Sequence, residues 1–229
     1  MAASPARSSG RAISRQSIPE SLRDALRERI LGGELREGDA LIQDAIAEEY
    51  ETSRMPVREA LRQLEAMGLV AMRTHKGAVV TTIPTEEVEE LFDLRALLEC
   101  DVLERALPRM ADQDIADAKA VLVRLEASYD GQDMANWGRL NWEFHRRLYA
   151  PAGRARTLAV LDGINLQTER YIRMQLAMTQ GLEAAQKEHR EMLRLCALRD
   201  AAVIPFLRDH ILSAGRSLVT SLRNHRAGA

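Results

Sequence analysis

The stretch that decides the fold is SRMPVREALRQLEAMGLVAMRTHKGAVVTTI, residues 53–83. From Arg54 to about Met67 the apolar residues Val57, Leu61 and Leu64 recur at helical spacing, and Gly68 is a C-terminal stop. Beyond it LVAMRT (69–74) and AVVTTI (78–83) are short and rich in Val, Thr and Ile, with His75-Lys76-Gly77 between them. That pattern predicts a hairpin with glycine in its loop. Arg54, Arg58 and Arg62 follow one another at intervals of four. At about 100° per residue they span about 80° of the helix, centred about 90° from the apolar stripe. One reading is a solvated face paired with Glu59 and Glu65. Two details favour another. Cations in a first helical turn oppose the macrodipole, so stability alone does not select them. They also stand where a helix-turn-helix presents its groove-entering residues, with Thr52 and Ser53 adding hydroxyls suited to phosphate.

Working outward, PESLRDALRERILG (19–32) places Leu22, Leu26, Ile30 and Leu31 on one helical face, with Ser17 or Ser21 as cap. LREGD (35–39) reads as a turn. Residues 43–50 give a second short helix, with Ile42, Ile46 and Ala47 expected to face inward. Three short helices followed by a hairpin are the plan of a winged helix-turn-helix. After Pro84 no strand signal appears. Helical stretches at about 85–107, 112–130, 133–150, 154–180, 182–198 and 201–224 are separated by Pro108, Asp130-Gly131, Pro151-Ala152-Gly153, Gly181 and Asp200. The expected fold is mainly α: an arm at 1–17, a winged domain at 18–83, and an antiparallel helical bundle at 84–229.

The 32 basic and 34 acidic residues give a net charge of −2, which excludes an extended polyanion-binding surface. Residues 18–83 hold nine basic and twelve acidic residues, so any nucleic-acid site is a local patch. Aromatic residues are only 4%, leaving Leu, Ala, Ile, Val and Met to build the core. The sequence has no apolar run of transmembrane length and no secretory h-region, so a cytoplasmic protein is expected. Cys100 and Cys196 are too few for a disulfide framework and fit a reducing compartment.

SRMPVREALRQLEAMGLV resembles the SR-x-PVREAL-x-x-L-x-x-x-GLV signature of the GntR family of bacterial transcriptional regulators. RTHKGAVVTTI looks like that family's wing, and LREGDALIQDAIAEEYETS resembles its upstream run. Glu37 stands where proline is common, and Gln43 where glutamate is common. The resemblance implies DNA contacts from Ser53, Arg54, Arg58 and Arg62, and from His75, Lys76 and Gly77 at the wing tip. It also implies a homodimer reading a pseudo-palindromic double-stranded operator. Repression is the commoner mode, and no enzymatic activity is expected.

FDLRALLECDVLERAL, then NWEFH, EHREML and HIL, resemble in order the FCD effector domain of the FadR-like branch. On spacing alone these histidines are more often structural than ligating, and neither HExxH nor paired CxxC occurs. Many FCD domains bind a divalent metal through one Asp and three His. By position the ligands here would be Asn141, His145, His189 and His210, holding zinc, nickel or manganese. Asn141 replaces the usual carboxylate and brings no negative charge. The metal commonly helps to hold a small organic acid. Arg95 matches the first-helix arginine, its alternative role being an ion pair with Glu99, while Arg170 and Tyr171 are further effector candidates. Trp137 and Trp142 read as core or interface residues. The rivals are a metal-free regulator with structural histidines and, further off, a metal-dependent enzyme.

Overall fold

A computed structural model describes residues 17–73, 77–131, 134–179 and 182–227, the side chains of 134–135, 170, 173–179 and 225–227 excepted. Most of the arm expected at 1–17, and the wing-tip residues His75 and Lys76, lie outside the described residues.

The first helix, α1 (Ile18–Leu31), begins at Ser17, whose backbone N–H donates to the Glu20 carboxylate at 2.8 Å. This occupies one orphan amide and places an acid in the first turn. Gly32 and Gly33 follow, and Gly33 takes the left-handed φ of 79° that favours glycine. Helix α3 (Arg54–Ala66) packs against both α1 and α2 (Gln43–Glu49), and strands β2 (Val70–Arg73) and β3 (Gly77–Val80) form the hairpin. Arg29 ties three of these segments together, donating to Glu34 at 2.7 Å and to Glu49 at 2.8 Å.

One strand was not foreseen. Residues Ala40–Leu41 form β1, which pairs antiparallel with β3 and gives the sheet order β1-β3-β2. The alternation of side chains along a strand then sends Leu41 into the core and turns Ile42 outward, where it is 53% exposed. The inward placement expected for Ile42 is therefore corrected. The small core is closed by Leu26, Ile30, Val57, Leu61, Leu64 and Val80.

From Thr85 onward the described chain is helical: α4 (Thr85–Ala106), α5 (Asp112–Asp130), α6 (Met134–Tyr149), α7 (Ala155–Thr179), α8 (Leu182–Ala197) and α9 (Val203–Ala227). Their apolar faces enclose a second core around Phe92, Leu103, Leu125, Phe144, Leu161 and Met192. Gly215 lets α9 close on α4, because a Cβ there would stand 2.8 Å from the Phe92 ring. Trp137 is buried in this core with its indole N–H on the Ser128 carbonyl at 3.0 Å, and Trp142 donates to Asp162 at 2.8 Å. Burial raises the thiols of Cys100 and Cys196 to about 11 and about 12, so both are unreactive.

Helix α7 touches both cores. Its Leu166 packs against the winged core, and Gln167 lies over Gly68. Its Tyr171 is buried, accepts a hydrogen bond from the Ile83 N–H at 3.1 Å, and donates to the Glu37 carboxylate. Tyr171→Phe deletes both bonds while keeping the ring, at a cost of about 2 kcal/mol. Thermal unfolding should show a lower midpoint for this variant, and an unchanged midpoint would mean the hydroxyl contributes nothing to joining the two halves.

Candidate functional site

Two groups of side chains stand out, one in each half of the chain. On α3 the apolar stripe is fully buried, while Arg54, Met55, Arg58 and Arg62 are exposed. The acids that could have neutralised the arginines face other groups: Glu59 accepts from the Gln63 side chain at 3.4 Å, and Glu65 accepts from the Met72 N–H at 3.0 Å, fastening α3 to the hairpin. Arg58 and Arg62 consequently make no ion pair among the described residues. Arg54 does, with Asp44 of α2. Ser53 caps the helix through its backbone and makes no side-chain cap bond, which leaves its hydroxyl available at the helix start. Gly77 opens β3 at the base of the wing, at φ 88°.

The second group lies inside the bundle. His145 on α6, His189 on α8 and His210 on α9 bring one ring nitrogen each to within 4.8 Å of one another. Ring centroids are 5.1–5.4 Å apart, and the Phe144 ring packs against His145 and His189. His145 and His189 are almost wholly buried. Burial, with the neighbouring imidazoles and Arg95 adding to it, holds the His145 ring well below its usual pKa. Burial and His210 do the same to His189. Both rings are therefore neutral near pH 7, the state that can donate a lone pair to a metal. His145 Nε2 and both nitrogens of His189 are buried without a hydrogen-bond partner. Such orphaned atoms are costly in an apolar interior, and a cation at their centre would satisfy them. The donor set fits a divalent metal.

Beside this cluster is a cavity of about 250 Å³, lined by Arg95, Asn141, Glu188, His189 and His210 among others. Arg95 is buried, donates to Glu99 at 2.7 Å, and stacks over Phe92 at 4.9 Å. Arg95 is therefore ion-paired, as its alternative role has it, and also lines the cavity. Asn141 borders the same space one turn before His145. Tyr171 instead lies at the junction with the winged half, and the side chain of Arg170 is outside the described residues. Sequence reasoning missed Tyr149, whose hydroxyl is 3.3 Å from His145 Nδ1 and donates to Glu99 at 2.7 Å. It also missed Glu188, 2.6 Å from His210 Nδ1. Their signals were local but weak: Tyr149 stands one turn after His145, and Glu188 directly precedes His189.

Comparison with known proteins identifies the two halves of the chain. Residues 18–80 match the bacterial regulatory proteins of the gntR family, and residues 90–226 match the FCD domain. The chain belongs to the GntR family. A gluconate operon transcriptional repressor of Bacillus licheniformis is 26% identical over 160 residues, which is 70% of this GntR chain and 65% of the repressor. The match therefore spans less than two thirds of that relative. The E. coli McbR/YncC structure is similar in fold, with a TM-score of 0.77 at 18% identity over 90% of this chain and 99% of that one. A GntR family member from Pseudomonas syringae pv. tomato is 34% identical over 90% of this chain and 88% of its own, yet its TM-score is 0.54.

Proposed function

We propose that this GntR-family chain is a ligand-responsive, sequence-specific DNA-binding transcriptional repressor. It acts as a cytoplasmic homodimer on a pseudo-palindromic operator, and a small organic acid in its helical domain releases it. The observation that carries this reading is the coexistence of an exposed arginine edge on α3, its Arg58 and Arg62 without an ion pair among the described residues, with a buried histidine cluster beside a cavity in the bundle. In this reading Ser53, Arg54, Arg58 and Arg62 face the groove, with further DNA contacts from His75, Lys76 and Gly77. Two-fold symmetry of the protein matches two-fold symmetry of the operator. No helix of the described residues is long and apolar enough to cross a membrane. The family and the relatives are regulators, which supports a non-catalytic role.

His145, His189, His210 and Asn141 would hold a divalent zinc, nickel or manganese ion, which supplies a Lewis-acidic anchor for a carboxylate when bound. Arg95, ion-paired with Glu99, supplies guanidinium N–H donors on the same cavity. For the acid to act, it must prefer one placement of the DNA-reading heads over another. The segment of α7 that borders the cavity at Ile172 and grips the winged half at Tyr171 is where that preference is felt.

Selection from random-sequence duplexes, followed by anisotropy titration with and without a panel of organic acids, tests the whole reading. Enrichment of a two-fold site and its release by an acid are expected; no enriched sequence overturns it. The metal has its own test. Adding zinc, nickel or manganese at about 100 times its dissociation constant should stabilise the protein by about 2.7 kcal/mol. His189→Leu removes two orphaned nitrogens, so its metal-free melting temperature should equal or exceed that of the unmodified protein while the metal-induced rise disappears. Absence of metal by elemental analysis, together with no rise on addition, would favour the rival in which the histidines are structural.

A further inference from the structure

The metal reading leaves a charge problem. Asn141 occupies the position where the family's ligand set has a carboxylate, and three neutral imidazoles do not offset a dication. The walls of the cavity show where the missing charge stands. Among the residues lining it, Glu188 is the one carboxylate. It comes from α8, immediately before His189, and its Oε2 is 2.6 Å from His210 Nδ1 across to α9.

Proton counting fixes what each histidine can do. The Tyr149 hydroxyl has a single proton and gives it to Glu99. At 3.3 Å it must then accept from the Nδ1–H of His145, which leaves the lone pair of His145 on Nε2, the atom without a partner. Glu188 has the same relation to His210. A carboxylate 2.6 Å from Nδ1 accepts its N–H, so a His210 ring that ligates a metal does so through Nε2. The two backing carboxylates differ in charge. Glu99 is held at 2.7 Å by the Arg95 guanidinium, so that pair is neutral overall. Glu188 makes no ion pair with an arginine or lysine among the described residues; His210 is its partner.

We infer that Glu188 is the positioning residue that orients His210 toward a bound divalent cation and supplies the negative charge Asn141 lacks. This rests on the metal-binding reading above. Carboxylates behind ligating histidines fix the tautomer and raise ligand basicity, and losing one commonly costs about 10–100-fold in metal affinity. Glu188 also serves better than a direct ligand in one respect. It would back His210 without itself taking the place of a carboxylate effector beside Arg95.

The test is competitive titration of cobalt and zinc against a chromophoric chelator, using the full chain and the variants Glu188→Gln, Asn141→Asp and their combination. Glu188→Gln should weaken metal binding about 10–100-fold. The side chain is 41% exposed, so the metal-free fold and melting temperature should be unchanged. Asn141→Asp should restore most of the loss when added to Glu188→Gln, because it returns one negative charge to the cavity. The visible spectrum of bound cobalt should differ between the full chain and Glu188→Gln, which a purely structural role would not produce. Metal affinity within twofold for Glu188→Gln would overturn the inference and leave metal binding standing. Failure of Asn141→Asp to rescue would overturn the charge role. An unmodified chain that binds neither cobalt nor zinc would overturn both.

Discussion

Gly77→Ala is expected to abolish operator binding by dismantling the wing, although it takes away no side chain that could contact DNA. Gly77 adopts φ 88°, and a Cβ there would lie 2.1 Å from the Leu41 carbonyl oxygen. Backbone cannot rotate away as a long side chain can. Moving Leu41 would break its pairing with Ala78 and disturb the entry to α2, since Gln43 N is 3.3 Å from the same point. Left-handed strain and overpacking act together, for a cost of about 3 kcal/mol. Because the winged residues have their own core, the loss should fall on that half. Circular dichroism on heating should show an early partial transition, with the bundle melting near its usual temperature and metal or acid binding retained. A single unshifted transition would show that β1 yields to the new methyl group. The small two-residue strand thus explains a glycine that the sequence suggested for the wing tip.

The strongly periodic elements were legible before any coordinates. Leu22, Leu26 and Ile30, or Val57, Leu61 and Leu64, repeat at helical spacing, and breakers such as Pro108 and Gly153 stand at the ends. The three histidines were legible as a set only through their family resemblance, because α6, α8 and α9 meet by packing and not by sequence proximity. Strand β1 was not legible: two residues carry no periodic signal, and its partner lies nearly forty positions downstream. The contacts of Tyr171 at the junction were not legible for a related reason. A 25-residue helix that faces two cores has two inward sides, and sequence cannot say which one a given tyrosine serves. Glu37, a departure where proline is common, accepts a hydrogen bond from Tyr171, 134 positions away, a pairing that no local pattern signals.

Arg58→Ala is expected to weaken specific operator binding about 5- to 150-fold while leaving the fold intact, the range of 1–3 kcal/mol that a bidentate guanine contact supplies. The side chain is exposed and makes no ion pair among the described residues, so its removal leaves no buried charge and opens no cavity in the core. Arg54 is a less clean probe, because removing it also strands Asp44. Arg58→Lys separates the two ways an arginine can act. If Arg58 reads a guanine edge, lysine keeps the charge but loses the planar fork, and discrimination at one base pair of each half-site collapses. If Arg58 holds a phosphate, lysine restores affinity across all sequences, and Arg58→Ala lowers the salt slope by about one. Base readout is the expected outcome, since Arg58 lies one turn inside the helix, past the amide-rich N-terminus that suits phosphate. Unchanged binding by Arg58→Ala would remove the residue from the interface and return its charge to a solvated helix face.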